Sequence, residues 1–286
     1  MLGIIVCTRN RTDQLSSLLK SIENNCVSPD NLDVWIGFDS DDSRTREFLD
    51  SCSFSFKINR YVNDNKSAEC RFCDENFINR HKDVINPMAF SSEADIFWVL
   101  NDDVTIETKG FDKIIEDTVE QHLKEKEYRI FYGMCKVNFA KELPPYLERV
   151  AEAGGIRLKT TYACYPIVTK ELVYALGYLL SPEFPDDAAD IMLGKTVGAS
   201  WFNRKYSVPV TVSDSVTKEE DVEKRIRPRT MDYGWKDNFL KEIINGQKCH
   251  HMADLTAFST VVQEGLRKLN AIIEQKFLYQ ESISLK

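Results

Sequence analysis

Residues 96–106 read IFWVLNDDVTI, an unbroken apolar run from Ile96 to Leu100 that ends in Asn101 and two adjacent carboxylates, Asp102 and Asp103. A strand with one wet face alternates apolar and polar. A run that is apolar at every position instead fits a strand covered on both faces, as in a helix-flanked parallel sheet. Such a strand is a rigid stem, and the carboxylates are what it presents at its end.

Two upstream runs follow the same plan. LGIIVC (2–7) ends in Thr8-Arg9-Asn10-Arg11, and DVWIGF (33–38) ends in Asp39-Ser40-Asp41-Asp42. Between them, Leu15, Leu18, Leu19 and Ile22 recur at helical spacing, with Thr12 or Asp13 placed to cap the helix. A second helix is expected at SRTREFLDS (43–51), capped by Asp42 or Ser43, and a third strand over 54–59. Residues 60–93 are polar and irregular with one or two helices, and Pro87 favours a helix start near Asn86. Beyond the opening stretch come a helix in GFDKIIEDTVEQHLKEK (110–126) and a strand in RIFYGMCKV (129–137). This alternation specifies an α/β fold, a mostly parallel central sheet with helices on both faces.

The second half is less regular. It reads as a turn at Pro166, a short helix closed by Gly177, a helix opening with acids in PDDAADIMLGKTVGASW (185–201), and a late strand YSVPVTV (206–212). Pro209 points to an edge position for that strand. A closing helix is expected over about 253–277. The expected organisation is one domain over 1–215 with a helical C-terminal extension, 216–286, packed on it.

The chain has 286 residues, 43% of them apolar, a formal charge of −8 and a pI near 5.2. So acidic a surface repels phosphate backbones at long range, which argues against a nucleic-acid binder while leaving a nucleic acid open as an acceptor. No apolar run approaches the roughly 18 residues that span a bilayer. The first residues are too short and lack the basic segment of a secretory signal. The expectation is a soluble cytoplasmic protein. Of eight cysteines, Cys7 and Cys135 sit within apolar runs and read as buried thiols. Cys70 and Cys73 form one CxxC that Cys249, His250 or His251 could complete as a zinc site, but no second CxxC exists and plain thiols are the better reading.

In parallel strands the three polar clusters lie along one carboxyl edge, where open α/β sheets bind ligands. Strand alternation puts Asn101 and Asp103 on one side and Asp102 on the other, so one carboxylate can meet a cation and the other a sugar or ribose hydroxyl. Carboxylate oxygens suit Mg2+ or Mn2+. Taken alone, such acids equally cap the turn before the next helix.

On these residues the chain resembles the GT-A-fold glycosyltransferases, in particular their family 2-like group, over about residues 2–110. IIVCTRNRTDQLSSLLKSI (4–22) is similar to that group's opening strand, nucleotide loop and helix, DVWIGFDSDDS (33–43) to its second strand and aspartate turn, and ADIFWVLNDDVTI (94–106) to the strand carrying its metal motif. The resemblance implies that Thr8, Arg9 and Asn10 line the nucleotide pocket, Asp39 contacts the base and Asn86 sits near the ribose. It implies further that Asn101 and Asp102 contact the sugar nucleotide and that Asp103 holds the metal. The usual motif opens with Asp where this chain has Asn101. An inverting member also needs a carboxylate base near the acceptor hydroxyl. SPEFPDDAADIML (181–193) offers Asp190 and Asp187 for that role, with Asp186 beside them. His250 or His251 could be a late metal ligand, and Trp201 and Trp235 could stack on sugar rings or equally belong to the core. The implied function is transfer of a sugar from a UDP- or GDP-sugar to an acceptor hydroxyl with Mn2+ or Mg2+. The rivals are a nucleotidyltransferase, disfavoured by the glycine-free loop TRNRTDQ, and a non-catalytic, zinc-stabilised binding module.

Overall fold

The computed structural model describes residues 1–64, 81–124, 128–139, 165–181, 193, 206–214 and 263–272. Its strands are β1 (Leu2–Cys7), β2 (Leu32–Asp39), β3 (Ile58–Asn63), β4 (Ile96–Asn101), β5 (Val104–Ile106), β6 (Tyr132–Phe139), β7 (Pro166–Thr169) and β8 (Tyr206–Asp214). Its α-helices are α1 (Thr12–Asn25), α2 (Ser43–Ser51), α3 (His81–Ser91), α4 (Phe111–Leu123), α5 (Lys170–Leu176) and α6 (263–272).

The strands form one sheet in the order β3-β2-β1-β4-β7-β6-β8-β5. From β3 to β4 every pairing is parallel, and beyond β4 antiparallel and parallel ladders mix. Side-chain alternation divides the core. Leu2, Ile4, Val6, Ile96, Trp98 and Leu100 pack on one face with α1, α2 and α4. Ile5, Phe97 and Val99 pack on the other with α3, α5 and Leu269 of α6. Both faces of β1 and β4 are therefore dry, which is why their sequences are apolar throughout. Each buried aliphatic side chain contributes about 1.5–3 kcal/mol. Cys135 lies in the first core, where burial pushes its thiol up to about 12, so it acts as a small hydrophobe and not as a nucleophile.

Chain order and strand order together locate a switch point. From β1 the chain winds outward through β2 to β3 over one face, then returns beneath the other face through α3 to β4 on the opposite side of β1. The connections diverge between β1 and β4, leaving a crevice above their carboxyl ends.

The sheet is also curled. Asn101 and Val104 are three residues apart, so at most about 11 Å separates them. Four ladders lie between β4 and β5 in the sheet order, and at about 4.8 Å each a flat sheet would put these strands about 19 Å apart. The far edge therefore bends back towards the carboxyl end of β4. Asn25 fastens it there, its side chain donating to the Ile106 carbonyl at 2.9 Å, while the Ile106 amide donates to Ser21 Oγ at 3.0 Å.

Several sequence expectations shift. α1 begins at Thr12, but its N-cap is Arg11, and no side chain caps it. α2 is capped by Asp42, whose Oδ1 accepts from the Thr45 amide at 2.9 Å. β3 lies four residues later than the run first suggested. α3 is helical from His81, so Pro87 sits inside it and does not start it. Pro166 opens β7, opposite Met134, in place of a turn. β8 lies between β6 and β5, not at an edge, and the register shifts between Met134↔Ser207 and Lys136↔Thr211. That irregularity brackets Pro209, which has no amide to give a regular ladder. Gly177 closes α5 at φ 85, and Lys268 of α6 donates to the Leu176 carbonyl at 2.6 Å, a cation placed at a helix C-terminus.

α3 seats against β2 through Gly37, where an added Cβ would lie 2.0 Å from Val84 Cγ1 and 2.9 Å from Met88 Cε. Gly37→Ala is expected to lower the urea-unfolding free energy by about 1–3 kcal/mol, the cost of overpacking. An unchanged midpoint would show that α3 does not lie this close.

Candidate active site

At the switch point the β1–α1 loop faces the ends of both neighbouring strands. β1 is extended by the Thr8 amide, which donates to the Gly37 carbonyl at 3.0 Å. The chain then turns through Asn10 at φ 54, a left-handed conformation that Asn tolerates better than most residues. This turn sends Arg9 and Arg11 in different directions.

Arg9 goes to β2. Its Nη1 donates to Asp39 Oδ2 and its Nη2 to Asp41 Oδ2, the latter at 2.8 Å. Asn63 at the end of β3 donates to the other oxygen of Asp39 at 2.9 Å. Asp39 is buried, whereas the Arg9 and Asp41 side chains are about half exposed. The Asn10 amide donates to Asp42 Oδ2 at 2.7 Å, so the residue that caps α2 also holds the loop.

Arg11 goes to β4. Its Nη1 donates to Asp102 Oδ1 at 2.8 Å and lies 3.6 Å from Asp103 Oδ2. Thr8 Oγ1 donates to Asp102 Oδ2 at 2.8 Å. Asp102 is only 2% exposed, and both of its oxygens accept hydrogen bonds from the β1 loop. Burial pushes its carboxyl above the ordinary carboxylate value. The Arg11 guanidinium opposes that rise and neighbouring Asp103 adds to it.

The expected residues Thr8, Arg9, Asn10, Asp39, Asp102 and Asp103 thus converge on one crevice, with Asn101 exposed at its rim. The expectation that Asp102 and Asp103 point apart does not hold. Residues 102 and 103 form a turn, where strand alternation lapses, and Arg11 reaches both. Asn86 is bound elsewhere. Its Oδ1 accepts from the Leu179 and Leu180 amides at 2.8 and 2.9 Å, and its Nδ2 donates to the Leu180 carbonyl at 2.8 Å. Asp186, Asp187, Asp190, Trp201, Trp235, His250 and the Cys70–Cys73 pair lie outside the described residues.

Arg11 and Asp41 belong to the polar clusters read from the sequence but were given no role, and Asn63 was not anticipated. Arg11 had a legible signal. A cation at a helix N-terminus opposes the helix dipole and calls for a nearby carboxylate.

Among the described residues, no three His, Cys, Asp or Glu side chains cluster as a self-sufficient metal site. Mg2+-class ions commonly take one or two protein carboxylates and complete their shell with substrate phosphates and water. Adjacent hard oxygens from the buried Asp102 and Asp103, at the carboxyl end of β4, fit that donor set. Thr8 and Arg11 hold both Asp102 oxygens, and Arg11 also lies 3.6 Å from Asp103 Oδ2.

No family model matches the chain, and no curated protein matches its sequence. Solved structures do resemble its fold. TarS 1–349 of S. aureus in complex with UDP aligns with a TM-score of 0.53 at 11% identity, over 79% of this chain and 63% of that one. The same fragment in complex with UDP-GlcNAc gives 0.51 at 11% identity, over 76% and 59%. The mannosyltransferase PcManGT from Pyrobaculum calidifontis, in complex with GDP-Man and Mn2+, gives 0.52 at 15% identity, over 100% and 80%. The chain therefore spans less than two thirds of the TarS fragment in these two complexes. At such identities the likeness establishes the fold, a GT-A-like α/β architecture. No helix among the described residues is long and apolar enough to cross a membrane.

The raised Asp102 value gives a signed expectation for the metal-free protein. The folded state holds this proton more tightly than the unfolded chain does. The contribution of Asp102 to stability is therefore fully present below the unfolded carboxylate value of about 4 and is lost as pH rises through the higher folded value. Asp102→Asn keeps the shape without the titration. In EDTA, its Tm relative to wild type is expected to rise from pH 4 to pH 8. A difference independent of pH would refute the upward shift.

Proposed function

We propose that this chain is a glycosyltransferase that moves a sugar from a UDP- or GDP-sugar to an acceptor hydroxyl. The observation that carries the reading is the convergence of Thr8, Arg9, Asp39, Arg11, Asp102 and Asp103 on the crevice between β1 and β4. The complexes of the fold neighbours with UDP, UDP-GlcNAc and GDP-Man with Mn2+ support the choice of donor class. Residues 1–215 would form the catalytic unit, with 216–286 packed on it.

In this mechanism Asp39, steadied by Asn63, offers a carboxylate acceptor to the N–H edge of the base. Arg9 is half exposed and lies within reach of the same pocket, so it can move from Asp39 and Asp41 towards the incoming diphosphate. Thr8 and Arg11 fix Asp102, and through it the turn that presents Asp103. Asp103, joined by His250, would hold Mn2+ or Mg2+, which when bound offsets the charge that develops on the leaving diphosphate. Asp190 or Asp187 would take the proton from the acceptor hydroxyl if the sugar configuration is inverted.

Thermal shift with UDP, GDP and CDP, each with and without Mn2+, tests the donor class. A ligand at a hundred times its Kd adds about 2.7 kcal/mol of stability, so UDP or GDP with Mn2+ should raise Tm by about 5 °C or more. Stabilisation by none of the three would overturn the reading, and zinc retained through dialysis would point to the cysteine-stabilised module. Asp103→Ala should keep the wild-type fold and lose both the Mn2+-dependent shift and transfer. Asp190→Asn should abolish transfer while donor binding persists. Full activity there, with an inactive Asp187→Asn, would move the base to Asp187.

A further inference from the structure

The acidic turn after β4 already has a cation of its own. Arg11 Nη1 donates to Asp102 Oδ1 at 2.8 Å and stands 3.6 Å from Asp103 Oδ2, so one guanidinium serves both carboxylates. Both acids are buried, and the Arg11 side chain is 22% exposed against 47% for Arg9. Water and salt therefore screen the charges around Arg11 less than those on the open surface.

Two features set this contact apart from a plain structural tie. Arg11 is the N-cap of α1, where the helix dipole disfavours a positive charge and favours an anion. Thr8 independently holds Asp102, its Oγ1 donating to Oδ2 at 2.8 Å. The turn thus keeps one tie to the β1 loop when the guanidinium leaves, and the oxygen released, Asp102 Oδ1, belongs to the acid adjacent to Asp103.

Resting on the transferase reading above, we propose that Arg11 is a resident counter-ion that competes with the divalent metal for Asp102 and Asp103. A divalent cation on those oxygens shares them with a guanidinium at close range, so the protein without nucleotide holds it weakly. A donor diphosphate brings the negative charge that accommodates both cations. Arg11 turns from Asp102 Oδ1 to the diphosphate while Thr8 keeps Oδ2. Metal and nucleotide then bind as a pair, each strengthening the other by the same factor.

The test uses the full chain. Mn2+ binding without nucleotide is read from the electron paramagnetic resonance of the free ion, and UDP and GDP binding, with and without Mn2+, by calorimetry. Arg11→Gln keeps a donor for Asp102 and drops the charge. Its Mn2+ Kd should fall at least about tenfold below that of wild type, and the factor by which Mn2+ tightens nucleotide binding should shrink. Arg11→Lys keeps the charge and should stay nearer to wild type than Arg11→Gln. Asp103→Ala in the Arg11→Gln background should remove the gained affinity. A Mn2+ Kd in Arg11→Gln equal to or weaker than that of wild type would overturn the proposal and leave Arg11 a structural tie. Arg11→Lys as tight as Arg11→Gln, or a gain that survives Asp103→Ala, would overturn it as well. Should Arg11→Gln fail to fold because Asp102 loses its counter-charge, the comparison is made in an Asp102→Asn background, with Arg11 and with Arg11→Gln. The same tightening is expected there, and its absence overturns the proposal. A wild type that binds neither nucleotide, with or without Mn2+, defeats the transferase reading itself. One that binds nucleotide and Mn2+ with a Kd indifferent to Arg11 defeats this proposal alone.

Discussion

A carboxylate almost out of water, held by a hydroxyl and a guanidinium from another strand, is the tie on which the crevice depends. Removing Asp102 from solvent carries a desolvation cost that only well-formed partners offset. Thr8 and Arg11 supply them from the end of β1 and offset part of that cost, while burial still raises the carboxyl. That contact joins the two strands at the point where the winding of the sheet reverses, and it aligns the β1 loop with the turn carrying Asp103. The other arginine of the same loop repeats the device towards β2, with Asp39 and Asp41 as its pair. Five acids from two strand ends, Asp42 through the Asn10 amide, are gathered round one loop with part of their mutual repulsion offset.

The division of labour among these acids follows from burial. Asp42 and Asp102 are almost wholly enclosed and satisfied by protein donors, so they hold the frame. Asp41 and Arg9 remain half exposed. Asp39 and Asp103 are also buried, at 7% and 8% exposure, each in contact with an arginine.

Much of this was legible from the amino acids alone. β1, β2 and β4 are apolar at nearly every position because helices cover both faces, and parallel strands place their polar ends on one edge. What escaped was set by turns and by tertiary context. Asp102 could not be oriented from the strand period because the strand stops at Asn101. Asn86 carries no local sign of its partner, since the segment it holds is distant in sequence. Pro209 read as an edge signal because a bulge in an interior ladder leaves no pattern in a single strand. The acids at 186–190 belong to a half of the chain where the alternation of strand and helix, the strongest sequence signal here, is weakest.

The hop of two residues from β4 to β5 has a mechanical consequence. The outermost strand of a rolled sheet is leashed to the middle of that sheet with no slack, and the leash is the acidic turn itself. An extra residue inserted there would slacken the roll and swing Asp103 at the same time, so chain length at this spot and chemistry at this spot are a single variable.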